Sequence, residues 1–317
     1  MTFFSLILAL LLEQRCPLPY ARWIARPASA ASVWLERRLN AGGGRQGGAA
    51  VLIVFLPVLL LVSLVVFLLA PYPFLALAVN VIVLYFTMGF RQFSHFYTDI
   101  QLALSLEDTA RARDLLSAWK KETDQETPSA SASSARPSPT AEGAEFSRSD
   151  IVRQAIETAL VASHQHVFAV IFWFAVLPGP LGAALYRLAQ LLAWNWRGHG
   201  EFGVFAARVF WALDWLPARV TAIVFAIVGN FEDAVDAWRQ EARRAFSSQT
   251  RIVLSSGFGA LGIPPSVPAP QGDVSERAGK EHVLGVESMQ SAVGLVWRAI
   301  ALWLSLLLLL GLARLAG

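Results

Sequence analysis

From Ala49 to Ala70 the chain carries no charged residue at all. A run of that length matches the ~20-residue helix that crosses a ~30 Å hydrocarbon core, so it is read as a membrane span. Pro71-Tyr72-Pro73 then turns the chain without a charge, and Phe74 to Phe90 runs back. The two runs predict a helical hairpin with both ends on one side of a membrane. Composition agrees. With 55% hydrophobic and 15% charged residues among 317, the chain is too apolar for an ordinary soluble domain. The expected fold class is all-α: a polytopic helical integral membrane protein with broken or kinked spans and helical cytoplasmic loops.

A second apolar stretch, Gly203 to Gly229, holds Arg208, Asp214 and Arg219 inside it. A charge at the bilayer centre costs ~2.5 to 3.5 kcal/mol on insertion scales, so these three should face the bundle interior, a water-filled cavity or a membrane surface. Pro217 lacks an amide hydrogen and so leaves the carbonyl of Leu213 without its helical partner. The segment Asp214-Trp215-Leu216-Pro217-Ala218-Arg219 is therefore a candidate ligand or partner site. The plainer alternative pairs Asp214 and Arg219 with each other, or with a neighbouring helix, to hold a bend.

The single cysteine, Cys16, excludes an intrachain disulfide framework and a thiol metal cluster. The net charge of +3 comes with basic residues spread over loops between spans, which points to membrane orientation and not to nucleic acid. Residues 1–48 read as an N-terminal anchor and a basic loop. Thr2 to Leu12 is short for a span and a poor signal peptide. The loop that follows bears Arg15, Arg22, Arg26, Arg37, Arg38 and Arg45 against Glu13 and Glu36, with Trp23 and Trp34, a composition suited to anionic headgroups.

Residues 49–90 form the hairpin. Residues 91–157 form a helical cytoplasmic region, in which Arg91, His95 and Asp99 make one polar stripe, Asp108 to Lys121 an amphipathic helix, and the Ser/Ala/Pro-rich 123–144 a disordered insert. Ser147 or Ser149 caps the next helix, whose Arg153, Glu157 and His164 share a face while His166 points elsewhere. Glu157 and His164 have the chemistry for acid/base work; two ligands without a third predict no metal site.

Residues 158–229 are the membrane core. Val167 to Trp194 is interrupted by Pro178-Gly179-Pro180-Leu181-Gly182 and predicts one long broken helix or a re-entrant pair. Residues 230–292 form another cytoplasmic loop, with a charged helix and the small-residue run Ser255 to Ile263, and residues 293–317 the last span. If Val167 to Trp194 counts as a single crossing, loops 13–48, 91–157 and 230–292 all lie on the cytoplasmic side of a bacterial inner membrane.

Three stretches carry a resemblance: Ala212-Leu213-Asp214-Trp215-Leu216-Pro217-Ala218-Arg219-Val220-Thr221-Ala222, Gly257 to Ile263, and Ser291-Ala292-Val293-Gly294-Leu295-Val296-Trp297-Arg298. They resemble the CobD/CbiB family of membrane proteins and its divergent AmpE relatives, with further likeness at Ala112-Arg113 and Ile156-Glu157. For CobD/CbiB members the resemblance implies the joining of an aminopropanol phosphate to adenosylcobyric acid with ATP and magnesium, late in cobalamin assembly. For AmpE it implies signalling in β-lactamase induction.

The early Gly-Asp-Pro and His-Pro-Val segments of the enzymes are absent from the first forty residues. Ser163-His164-Gln165-His166-Val167-Phe168 stands where the enzymes carry acids, and apolar residues and tryptophans near Gln190 replace their Asn-Thr-Leu-Asp-Ser-Met segment. The expectation is therefore an AmpE-like, non-catalytic, regulatory membrane protein that binds a protein partner or a corrinoid ligand at a polar cavity. Glu157 and Asp214 are its catalytic candidates if it is an enzyme; Arg113, His164, Arg208, Asp214 and Arg219 are its ligand-binding candidates. The alternatives are an adenosylcobinamide-phosphate synthase and a transporter-like bundle, the latter prompted by the break at Pro178 to Gly182.

Overall fold

The computed structural model describes residues 2–15, 26–39, 44–126, 147–244, 248–264 and 284–316. The predicted disordered insert lies for the most part outside them, as does most of the polar loop before the last span. Among the described residues the secondary structure is helical throughout, without strands. In chain order the helices are α1 (Thr2–Arg15), α2 (Arg26–Leu39), α3 (Gly44–Leu69), α4 (Pro73–Thr87), α5 (Phe90–Ser105), α6 (Thr109–Glu126) and α7 (Arg148–Ser163). A π-turn (His164–Phe168) leads into α8 (Ala169–Val176), followed by α9 (Leu181–Asn195), α10 (Gly200–Val228), α11 (Phe231–Ala242), α12 (Gln249–Ala260) and α13 (Val286–Ala316).

Four of the described helical stretches are long and apolar enough to cross a membrane: Arg45–Leu69, Arg148–Val176, Gly200–Val228 and Val286–Ala313, with the shorter apolar α4 beside them. This is an integral membrane protein. The α3/α4 hairpin turns its large residues outward, with Phe67 76% and Phe74 86% exposed, a surface that suits lipid and not water. The stretch Arg148–Val176 is the opposite case, with 78% of its apolar 18-residue window buried, and forms the middle of the bundle.

That central helix differs from the sequence expectation in extent. Ser147 caps it through a capping box with Asp150, which holds the first orphan amides. From there the chain stays helical through the π-turn to Val176, so a boundary at 157/158 falls inside one continuous element. The predicted break does occur after it, at Leu177 to Pro180, and takes the re-entrant form. Gly182 at the start of α9 lies so close to the Trp173 carbonyl that a Cβ there would overlap it. Helix α9 thus folds back along α8, and at ~22 Å it is too short to cross the hydrocarbon core.

Two apolar clusters hold the bundle. The larger gathers α1, α4, α5, α7, α8, α10 and α13 around Leu6, Leu84, Ile156, Phe168, Phe225 and Leu295. The smaller joins α2, α3, α9 and α10 through Leu35, Phe55, Trp196 and Phe202. Tyr97 of α5 is buried and donates to the Met289 carbonyl of α13 at 2.8 Å; burial pushes its ionisation upward, so it remains a neutral donor. The small-residue run Ser255 to Ile263 serves packing: a Cβ on Gly259 would stand 2.5 Å from the Asp233 carbonyl of α11, and one on Gly257 2.8 Å from the Leu160 side chain.

Candidate functional site

The π-turn sits where the two clusters meet, and it changes what the central helix can present. In a regular α-helix successive residues point ~100° apart, so three polar neighbours in a row cannot all find interior partners on one packed face. Here His164, Gln165 and His166 are all buried. One extra residue in the turn spreads them over two neighbouring helices.

His164 reaches α10. Its Nε2 lies 3.0 Å from Oδ1 of Asp214 and its Nδ1 3.0 Å from the Thr221 hydroxyl. The phenol of Tyr186, from α9, donates to the same Asp214 oxygen at 2.8 Å. Asp214, His164, Tyr186 and Thr221 are almost fully buried, and a carboxylate so placed holds its charge only with such donors around it. The set brings a carboxylate, an imidazole and a phenol into one hydrogen-bonded group. Both ring nitrogens of His164 are occupied, so its chemistry is to hold and orient, not to strike a substrate directly.

The next residues turn to α9. Arg187 donates through Nη1 to Nδ1 of His166 at 2.9 Å. A guanidinium only donates, so that nitrogen accepts and His166 is a neutral imidazole with its proton on Nε2. The same Nη1 donates to Gln190 Oε1, and Gln190 donates in turn to Gln165 Oε1 at 3.2 Å. Tyr186 and Arg187 are adjacent in sequence, so a buried acid group and a buried guanidinium are served by one turn of α9.

Of the residues singled out from sequence, the structure brings together His164 and Asp214. The others stand apart. Arg219 does not pair with Asp214: it donates to Trp215 O at 2.8 Å and to Gln249 Oε1 of α12 at 3.0 Å, and stacks over the Trp215 ring at 3.9 Å. Positions five apart on a helix diverge by more than a right angle, which is why the expected pair does not form. Arg208 is exposed on α10 and Arg113 on α6. Glu157 is half-buried on α7, with Arg153 and Lys120 as its nearest cations, while Arg153 donates to the Pro264 carbonyl at 3.1 Å. It does not meet His164, whose ring is committed to α10.

Residues the sequence reading passed over are Tyr186, Arg187, Gln190 and Thr221. A signal was present: Arg187 is a lone charge in the apolar run after Gly182, and the argument that singled out Asp214 applies to it unchanged.

The family profile described as CobD/Cbib protein matches residues 141–302, just over half of the chain and all of the site above. The chain belongs to the CobD/CbiB family. Among curated relatives it is 28% identical over 286 residues to the cobalamin biosynthesis protein CobD of Stutzerimonas stutzeri, covering 86% of each chain. It is 31% identical over 222 residues to that of Chromobacterium violaceum, 69% of this chain and 64% of the relative. A third CobD, from Leptospira interrogans, is 26% identical over 127 residues, 37% of this chain. No solved structure matches. These relatives correct the expectation of an AmpE-like, non-catalytic signalling protein: family members named for cobalamin biosynthesis align along most of the chain, and their weight falls on the biosynthetic alternative.

The family's implied magnesium and ATP can be set against the residues present. Among the described residues no group of three or more His, Cys, Asp or Glu side chains gathers to hold a metal. Asp214 is ringed by donors and has no second carboxylate beside it, whereas magnesium wants oxygen ligands. Magnesium that arrives with nucleotide phosphates takes only one or two protein carboxylates, so it would be held together with ATP and not in a cage of protein ligands.

Proposed function

We propose that this protein acts in cobalamin biosynthesis as an adenosylcobinamide-phosphate synthase, joining an aminopropanol phosphate to adenosylcobyric acid by an amide bond. The observation that carries the reading is the buried Asp214–His164–Tyr186 set on the π-turn, inside the stretch matched by the family profile. The names and coverage of the curated relatives support it. Amide formation needs an amine that has given up its proton and a carboxyl group held beside it. Asp214 and Thr221 fix the ring of His164 and Tyr186 donates to Asp214, and Arg187 brings a permanent positive charge next to them, suited to an anionic substrate group. Their role is to position and to hold a proton; a reacting atom is not assigned.

In this reading the chain lies in the bacterial cytoplasmic membrane with its α5–α6 region and α11–α12 on the cytoplasmic side, where the soluble substrates are. The contact from Arg153, near the start of α7, to Pro264, just past α12, supports a common side for both regions.

The test is product formation by the detergent-purified protein supplied with adenosylcobyric acid, aminopropanol phosphate, ATP and magnesium, followed by corrinoid absorbance and mass. The expected result is an adduct heavier by the amine less water, reduced at least tenfold in Asp214→Asn. A folded protein that neither binds the corrinoid nor forms the adduct overturns the reading.

A further inference from the structure

Helix α2 stands apart from the site just described, and its two faces differ in kind. The inner face is docked. Leu35 packs into the smaller cluster, the Ser32 carbonyl accepts from the Trp196 indole at 3.1 Å, and Glu36 pairs with His199 at 3.2 Å. The outer face carries Val33, Trp34, Arg37 and Arg38, all exposed, with the Arg38 guanidinium 5.2 Å from the centre of the Trp34 ring. The one acid of α2 is thus turned inward and paired, which leaves the outer face purely cationic. Val33, Trp34 and Arg37 also line an open surface groove of about 380 Å³ with Ser29 and Ala30.

The position of α2 along the bundle says what meets that face. It ends at Leu39, and the α3 span begins at Arg45. At the same level Gly47 presses on the Phe202 backbone at the start of α10, and Trp196 closes α9. By length and composition the candidate spans Arg45–Leu69 and Gly200–Val228 both begin here. An amphipathic aromatic ring with arginines on one turn is suited to the headgroup layer.

We propose that the outer face of α2 is a binding site for the phosphate of an anionic phospholipid headgroup, with Arg37 and Arg38 as the donors and Trp34 seated at the acyl boundary. The charge arrangement argues for lipid over other occupants: a face with two guanidiniums, no acid and an exposed indole beside a span complements a negatively charged bilayer surface. Each basic residue near such a surface is worth about fivefold in binding.

The experiment uses the full chain in nanodiscs of mixed phosphatidylglycerol and phosphatidylcholine, with the lipids that stay bound on release read by native mass spectrometry. Wild type is expected to retain phosphatidylglycerol in excess. Arg37→Gln/Arg38→Gln should lower that excess about tenfold, Trp34→Ala should lower it less, and Arg111→Gln, on the exposed surface of α6, should leave it unchanged. Should the double variant fail to fold, raising the salt on wild type gives the second reading, and the excess should collapse as the arginines are screened. Equal retention of the two lipids by wild type, an unchanged ratio in the folded double variant, or an excess indifferent to salt each overturns the proposal. A dimer that dissociates on Trp34→Ala also overturns it, since the face would then belong to a second copy.

Discussion

Trp173 donates its indole N–H to the carbonyl of Leu213 at 3.1 Å. That carbonyl is the one Pro217 leaves without an amide, four residues on. The central helix therefore repairs the proline of its neighbour, and α10 runs unbroken from Gly200 to Val228. Trp173→Phe keeps the ring and removes the donor, so it should cost about 1 kcal/mol. Pro217→Ala in the same background should recover most of that loss. A double-mutant cycle on thermal unfolding in detergent checks the pair, and additive effects would disconnect them.

The Asp214–His164 pair should behave as a buried unit. Asp214→Ala alone strands the imidazole and is expected to cost about 3 kcal/mol or more. Removing both partners, with His164→Leu beside Asp214→Leu, should be markedly less harmful to stability than the sum of the single changes. Tyr186→Phe should cost ~1 kcal/mol, because Asp214 keeps His164. In the corrinoid assay the double variant should remain inactive even where its stability recovers, and recovered turnover would remove these residues from function.

Gly182 and Gly294 give opposite expectations for one substitution. Gly182→Ala would drive a Cβ into the Trp173 carbonyl, pushing α9 off α8 and costing roughly 3 kcal/mol or more. Gly294 lies within α13 with open space around it, so Gly294→Ala should be neutral or stabilise by up to ~1 kcal/mol through helix propensity. Melting temperatures of the two variants, compared side by side, decide the matter.

The arginines of α10 should also separate. Arg208 is exposed on α10, so Arg208→Gln should change stability by no more than ~0.5 kcal/mol. Arg219 ties α10 to Gln249 of α12 and covers Trp215. Its replacement by alanine should cost about 1 kcal/mol, and lysine should not fully rescue it because the flat stacking surface is lost. Limited proteolysis between α11 and α12 would report the loosening.

What was legible in the chain followed local rules. The charge-free run of α3 and the Pro-Tyr-Pro turn declare a membrane hairpin. Pro178 to Gly182 declares a break, and Asp214 in an apolar stretch declares a buried partner. The partner was reachable as a candidate, since His164 lies on the face that runs toward the membrane. What could not be read was phase. A π-turn has no composition of its own, and without it His164, Gln165 and His166 cannot be assigned to two different neighbours. The false pairing of Asp214 with Arg219 arose from nearness in sequence, where helical rotation parts them. The non-catalytic reading rested on missing motifs, and absent motifs weigh little against likeness along 86% of the chain.

The π-turn also sets the timing of the central helix. Upstream of it, Arg153 and Leu160 face α12 and the loop after it; downstream, Trp173 faces α10 and the start of α9. Those two halves share one rod, and the inserted residue fixes the angle between them. A deletion of any single residue from 164–168 would turn one half by about 100° against the other. A substitution in this segment leaves that angle in place, but a change of length does not. The count of residues across these five positions should therefore be fixed among relatives, a pattern that an alignment of the family can be searched for directly.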